Sequence, residues 1–260
     1  MPNEEFKAEM NGFSNIDHVI GIVSGKGGVG KSMVTASLAN GLAAQGYRVG
    51  ILDADITGPS IPKMYGIHEH AMSDTNGIYP ALSGNGIEIM STNLVLEGEE
   101  DPVVWRGPVI AGVVKQFWTD VIWGTLDFLL IDMPPGTGDV PLTVYQSLPI
   151  EGVLIVTSPQ DLVRMIVTKA YKMAEMMDIP VLGIIENYSY LCCPDCGKKI
   201  SVFGESHIDE IADGLGIPVL GKIPLDASYA EDADRGDFAA VLNPHIDDAV
   251  AVLDQKGRQG

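Results

Sequence analysis

Cysteine is scarce in this chain: there are 3 in 260 residues, all within positions 192–196. Thiols packed that closely cannot form the spread framework of bridges that holds small secreted domains together. Positive charge is scarce as well. Lysine and arginine number 16 against 35 aspartates and glutamates, a formal net charge of -19. A surplus of that sign repels nucleic acid and anionic lipid, and no local basic patch offsets it, so neither is an expected partner. No apolar run is long enough to span a bilayer, and residues 1–13 are acidic and polar where a secretory signal is basic and then apolar. A cytoplasmic setting is expected. The chain also lacks low-complexity tracts and any N/T-K-x-D guanine signature, which leaves adenine as the expected base wherever a nucleotide binds.

What is present is apolar bulk and one glycine-rich stretch. With 46% apolar residues the chain can bury a single large core. The apolar run 18–24 reads as a buried strand, residues 33–44 read as a helix, and between them lies GKGGVGKS, residues 25–32. Strand, glycine loop and helix are the context a G-x-x-x-x-G-K-S/T phosphate loop requires. Its backbone N–H groups must point inward, with no Cβ in the way, so that a polyphosphate can sit on the positive end of the helix. Gly25, Lys26, Gly27, Gly28, Val29, Gly30, Lys31, Ser32 and Met33 are therefore the expected nucleotide-binding stretch. Lys31 would reach the β and γ phosphates, and the Ser32 hydroxyl would hold Mg²⁺. Lys26 is surplus to a cradle built within one subunit.

Two further strands deliver carboxylates toward this loop. Residues 47–55 read as a strand ending in Asp53 and Asp55, which alternation would put on one face at its carboxyl end, where ligands of parallel sheets sit. One would order Mg²⁺ waters while the other positions or deprotonates an attacking water. Residues 126–132 (LLID at the end) form an apolar run ending in Asp132, the Walker B pattern, whose carboxylate would accept from a Mg²⁺-bound water. The glycine-rich turn 136–138 after it is a candidate switch. Strands at 152–157, 181–186 and 219–223 alternate with helices at 162–177 and 206–214, and a helix at 109–122 carries Trp118. The fold class is α/β: a doubly wound, mostly parallel sheet flanked by helices, around a deviant Walker A phosphate loop. The loops after the last two strands, with Asn187 and with Pro224 and Asp226, lie where such a sheet would hold a base. Residues 1–15 read as a flexible leader, 16–255 as one domain with a cysteine-containing loop at 188–203, and 256–260 as a polar tail. His68 and His70, with no third ligand nearby, read as polar surface, as does the acidic loop 97–101.

In LCCPDCGK, residues 191–198, Cys193-Pro-x-Cys196-Gly is the knuckle shape that presents two thiolates to one metal; a redox pair or inert thiols are the other readings. Zn²⁺ or an iron-sulfur cluster generally takes four protein ligands, and this chain has one knuckle. A second copy of the chain would complete the set, so the count argues for a two-fold dimer with the metal on its axis. Cys192 is a spare.

In order along the chain, GKGGVGKS, DADITGPSIP, WRGP, LLIDMPPGTGD, TSPQD, ENYSYLCCPDCG and GKIPLD resemble the Mrp (ApbC-like) family of P-loop ATPases that carry iron-sulfur clusters, within the wider MinD, ParA and nitrogenase iron-protein group. The resemblance spans about residues 18–240. It implies a slow ATPase acting as a cluster carrier. Lys26 would reach across a nucleotide-sandwich homodimer to the partner's phosphates, Asp55 would position the attacking water, and Asp53 and Asp132 would serve Mg²⁺. Cys193 and Cys196 of each subunit would bridge a 4Fe-4S cluster, received from cluster donors and passed to apo iron-sulfur proteins. Tyr188 stands where the family often has methionine. Two other functions fit parts of the pattern: a positioning ATPase of the MinD/ParA type, which the acidic charge and the short acidic C-terminal helix disfavour, and a zinc-stapled dimeric switch or metallochaperone.

Overall fold

The computed structural model describes residues 8–56, 58–95, 107–159 and 163–258. Its centre is an eight-stranded sheet. β1 (Asn15–Val23) is flanked by β5 (Thr125–Asp132) and β6 (Gly152–Thr157). Beyond β5 lie β2 (Val49–Asp53), β4 (Glu88–Met90) and β3 (Ala81–Leu82), and beyond β6 lie β7 (Val181–Glu186) and β10 (Val219–Lys222). All pairings are parallel except β3 with β4.

The central strands are apolar on both faces, as strands covered by helices must be. Ile20, Ile22, Leu130, Leu154 and Val156 pack on one side with α1 (Lys31–Ala44) and α8 (Asp247–Gly257). Val19, Val23, Ile131, Val153 and Ile155 pack on the other with α3 (Gly107–Thr119), α4 (Asp139–Ser147), α5 (Val163–Met176) and α6 (Ile208–Leu215). Trp118 and Trp123 belong to this second layer. The chain crosses from the β5 side of β1 to the β6 side after α4, which makes the carboxyl end of β1 the switch point where open α/β sheets bind ligands.

Several boundaries differ from expectation. Residues 8–14 are not a loose leader: the Ala8 amide donates to Ser147 O at 3.0 Å, and Trp118 Nε1 donates to Ala8 O at 3.0 Å. The strand expected to reach Asp55 stops at Asp53, because the Asp53 carboxylate accepts the amides of Asp55, Ser60 and Ile61 and turns the chain there toward the short helix α2 (Ile61–Met64). The helix α4 arises where only a glycine turn was expected, and α7 (Ala227–Arg235) where nothing was. The acidic loop 97–101 and Trp105 and Arg106 of the WRGP stretch lie outside the described residues.

Glu88 on β4 is a half-buried acid near the edge of the sheet. Its Oε2 is buried without a hydrogen-bond partner, and burial pushes its carboxyl from 4.5 up to about 7. The folded protein therefore keeps this proton between pH 4.5 and about 7, while the unfolded chain releases it, so stability falls as pH rises through that window. Glu88→Gln is expected to melt with the parent at pH 4, to gain on it progressively up to neutrality, and to hold a constant advantage at pH 8. Parallel melting curves at every pH would refute the assignment.

Candidate functional site

The phosphate loop leaves β1 and enters α1 with Gly28 at φ 79° and Gly30 at φ 75°. Gly30 is required twice over. Its left-handed backbone strains any side chain, and a Cβ there would lie 2.2 Å from Asn187 Nδ2 and 3.0 Å from the Tyr188 hydroxyl. The first turn of α1 has neither a side-chain cap nor an acidic residue, so its positive pole is left for an anion. The loop borders a cavity of about 480 Å³. Gly27, Gly28, Gly30, Lys31, Ser32 and Met33 line it on one side, and Asp55, Pro224, Asp226 and Tyr229 lie around the rest. Ser24 also reaches it, with a buried hydroxyl that has no hydrogen-bond partner.

Beneath the loop sit the two strand-end carboxylates, which the register of β2 and β5 places side by side as Asp53 and Asp132. Both are fully buried. Asp132 is the hub: Lys31 Nζ donates to its Oδ1 at 2.6 Å, Ser32 Oγ to its Oδ2 at 2.6 Å, and Thr35 Oγ1 to its Oδ1 at 2.8 Å. Asp53 receives backbone amides and the Ser91 hydroxyl, at 3.3 Å. Its pKa is raised, first by burial and then by the Asp132 charge, with Lys31 opposing. Two neighbouring buried carboxylates facing one ammonium make a site with cation demand to spare. Carboxylate and hydroxyl oxygens are also the hard donors that Mg²⁺ prefers, so the residues fit that ion.

Asp55, past the end of β2, lines the cavity rather than joining Asp53 below it. Alternation along a strand was the wrong basis for pairing them. Lys26 is half-buried at the start of the loop. Asn187, expected at the base, is fully buried and does not line the cavity: Nδ2 donates to Val29 O at 3.0 Å, and Oδ1 accepts the Tyr188 amide. It braces the loop from below. Sequence reasoning missed Tyr229 and Lys63 as lining residues. Tyr229 had a signal, since Asp226 caps α7, accepting from Ser228 N at 2.9 Å, and Gly236 closes it at φ 76°.

The cysteines occupy a small hairpin of β8 (Leu191–Cys192) and β9 (Lys199–Ile200). Cys193 N donates to Lys198 O and Gly197 N to Cys193 O, each at 2.9 Å, with Gly197 left-handed at φ 70°. The amides of Cys196 and Asp195 hold the Cys193 thiol below the ordinary range, and the Cys196 thiol adds to this. That turn carries the two thiols of Cys193 and Cys196 on one tight hairpin. All three thiols are free, and among the described residues no group of three or more His, Cys, Asp or Glu side chains is placed to hold a metal. His68 and His70 are exposed.

Comparison with known proteins adds three findings. Residues 15–255 match the family described as the NUBPL iron-transfer P-loop NTPases of the ParA group. The chain is 48% identical over 232 residues to an iron-sulfur cluster carrier protein of Clostridium perfringens, covering 86% of this chain and 81% of that one. A carrier of the same description from Methanocaldococcus jannaschii is 49% identical over 225 residues, covering 86% and 78%. Among solved structures, a nucleotide-binding protein from Archaeoglobus fulgidus in complex with ADP, with cobalt found in it, is 43% identical at a TM-score of 0.79, covering 88% of this chain and 90% of that one. The cell-division protein MinD of Aquifex aeolicus shares the fold at 21% identity and a TM-score of 0.63, covering 94% and 98%.

Proposed function

The chain belongs to the iron-transfer P-loop NTPases of the ParA group, and from that premise we propose that it is an ATP-hydrolysing carrier that assembles a 4Fe-4S cluster between two copies of itself and passes it to apo-proteins. The observation that carries this reading is half a metal site: a preshaped pair of thiols with no further ligand among the described residues, on the same chain as a phosphate loop.

In this reading the cluster is cargo. Cys193 and Cys196 of each subunit supply its four thiolates, with Zn²⁺ as the competing occupant. The loop amides and Lys31 bind the phosphates, and Pro224 and Asp226 border the adenine. Ser32, Asp53 and Asp132 would hold Mg²⁺, and the chemistry that ion would supply is neutralisation of charge on the phosphate oxygens. Asp55 orients a water whose oxygen bonds to the γ phosphorus as the bond to the β–γ bridging oxygen breaks; the water's proton leaves to solvent. Lys26 acts across the dimer. Lys26→Ala is expected to keep nucleotide affinity and to slow turnover by about 10-fold or more; hydrolysis at the parent rate would sink the trans role.

The proposed setting is the cytoplasm, where thiols stay reduced. No helix among the described residues is long and apolar enough to cross a membrane. Anaerobic reconstitution with iron and sulfide tests the whole reading. The expected product is a dimer holding roughly four irons and four sulfides. One Zn²⁺ per dimer with no sulfide uptake would replace the carrier by a zinc-stapled switch.

A further inference from the structure

Four consecutive residues, Glu186, Asn187, Tyr188 and Ser189, run from the end of β7 toward the cysteine hairpin, and neither hydrolysis nor thiol chemistry accounts for how they are held. Glu186 is 1% exposed. Its Oε2 accepts from Ser189 Oγ at 2.5 Å and its Oε1 from Ser206 Oγ at 2.8 Å. Ser189 precedes the hairpin and Ser206 follows it, so a single carboxylate closes the loop at its base. A carboxylate is a costly group to bury, and an apolar contact would close a loop more cheaply. What the carboxylate adds is the simultaneous, directional hold on both ends.

The next two residues face the other way. Asn187 bonds to the Val29 carbonyl of the phosphate loop, and Tyr188 lines the nucleotide cavity with its hydroxyl beside Gly30. Tyr188 stands at φ 57°, a conformation a bulky residue keeps only where its surroundings hold it. Ser189 N donates to Ile223 O at 2.8 Å, and Leu225 N to Tyr190 O at 2.7 Å. These bonds lock the same segment to the loop of Pro224 and Asp226 across the cavity. Tyr188 is among the residues a nucleotide in the cavity would meet, and Asn187 and Ser189 on either side of it are both held by hydrogen bonds.

Building on the carrier reading above, we propose that Glu186 is a positioning residue: it clasps the two ends of the cysteine loop to the strand whose next residues brace the phosphate loop. Nucleotide occupancy and metal binding at Cys193 and Cys196 are thereby linked through residues 186–189. Linkage is reciprocal, so ADP must change the metal affinity by the same factor by which metal changes the ADP affinity.

The test uses the full chain, with Zn²⁺ as the metal probe against a chromophoric chelator, with and without Mg²⁺ and ADP. The parent is expected to show a reciprocal factor of about 5 or more, the lower end for coupled sites. In Glu186→Ala, which removes both arms, the factor is expected to fall to near one, while Zn²⁺ still binds and the ADP affinity of the metal-free protein is unchanged. Ser206→Ala removes one arm of the clasp and reads the same coupling should the Glu186 variant fail to fold. A purely structural Glu186 would lower stability and leave the factor intact, and that result overturns the clasp. Binding of both ligands by the parent with no coupling also overturns it, while leaving the carrier reading standing. Absence of thiol-dependent Zn²⁺ binding in the parent overturns the clasp, which needs a metal-competent hairpin, while the carrier reading stands or falls on iron and sulfide uptake.

Discussion

Lys31→Ala is expected to abolish nucleotide binding and, independently, to lower the melting temperature of the nucleotide-free protein. The two losses have different origins. Lys31 is 5% exposed, and its ammonium is the cation bonded to Asp132, with Asp53 alongside, both fully buried. Removing one partner of a buried ion pair leaves a desolvated charge behind, at a cost of about 3–5 kcal/mol. For a domain of this size that corresponds to a fall of roughly 10 °C. Binding suffers because the charge-assisted bonds to the phosphates go, and at about 1.5–3 kcal/mol each these amount to a loss of 100-fold or more.

The double variant Lys31→Ala with Asp132→Asn separates the effects. It removes the orphaned charge and should recover most of the melting temperature, while titration calorimetry still finds no nucleotide binding. A single variant that melts with the parent would show that the Lys31–Asp132 pair does not support the empty fold.

The second large effect concerns cargo. Cys193→Ala and Cys196→Ala are each expected to abolish cluster uptake on reconstitution, and Cys192→Ala to leave it intact; ATP binding should survive in all three. The knuckle explains the asymmetry. Cys193 sits where the amides of Asp195 and Cys196 converge, so its thiolate is stabilised before any metal arrives. Cys192 is paired in β8 with Lys199 and is outside that turn. Loss of either knuckle thiol leaves two ligands across a dimer, too few for a four-cysteine set. The iron and sulfide contents of the purified variants decide the matter, and equal loss in all three would mean that the ligands are misassigned.

Much of the fold was legible because a parallel sheet covered on both faces writes itself as unbroken apolar runs. The strands at 152–157 and 181–186 stand where those runs stand. What was illegible had a different physical origin. The helix α7 has no fully buried residue and its inward face is only Tyr229 and Ala233, too short an apolar stripe to stand out in an acidic stretch, so its capping aspartate and closing glycine are the clearer marks. The helix α4 begins straight after Gly136 and Gly138 and carries Pro141 in its first turn, which reads as a loop. At the site, Lys31, Ser32 and Asp132 follow from motif spacing and do meet. Asn187 and Asp55 depend on where the backbone turns after a strand ends, and residue type does not encode that. The bond from Trp118 to Ala8 joins residues 110 apart in the chain and leaves no local trace.

That bond has a practical side. Trp118 and Trp123 lie in the layer opposite the one that receives Val29 and α1, so a nucleotide in its cavity touches neither indole. With Trp105 replaced by Phe, and with excitation selective for tryptophan because Tyr188 and Tyr229 line the cavity, a change in fluorescence on adding ATP would report motion carried through the sheet or along α4. The two indoles thus lie on the far side of the sheet from the cavity, placed to serve as an optical gauge of the proposed switch.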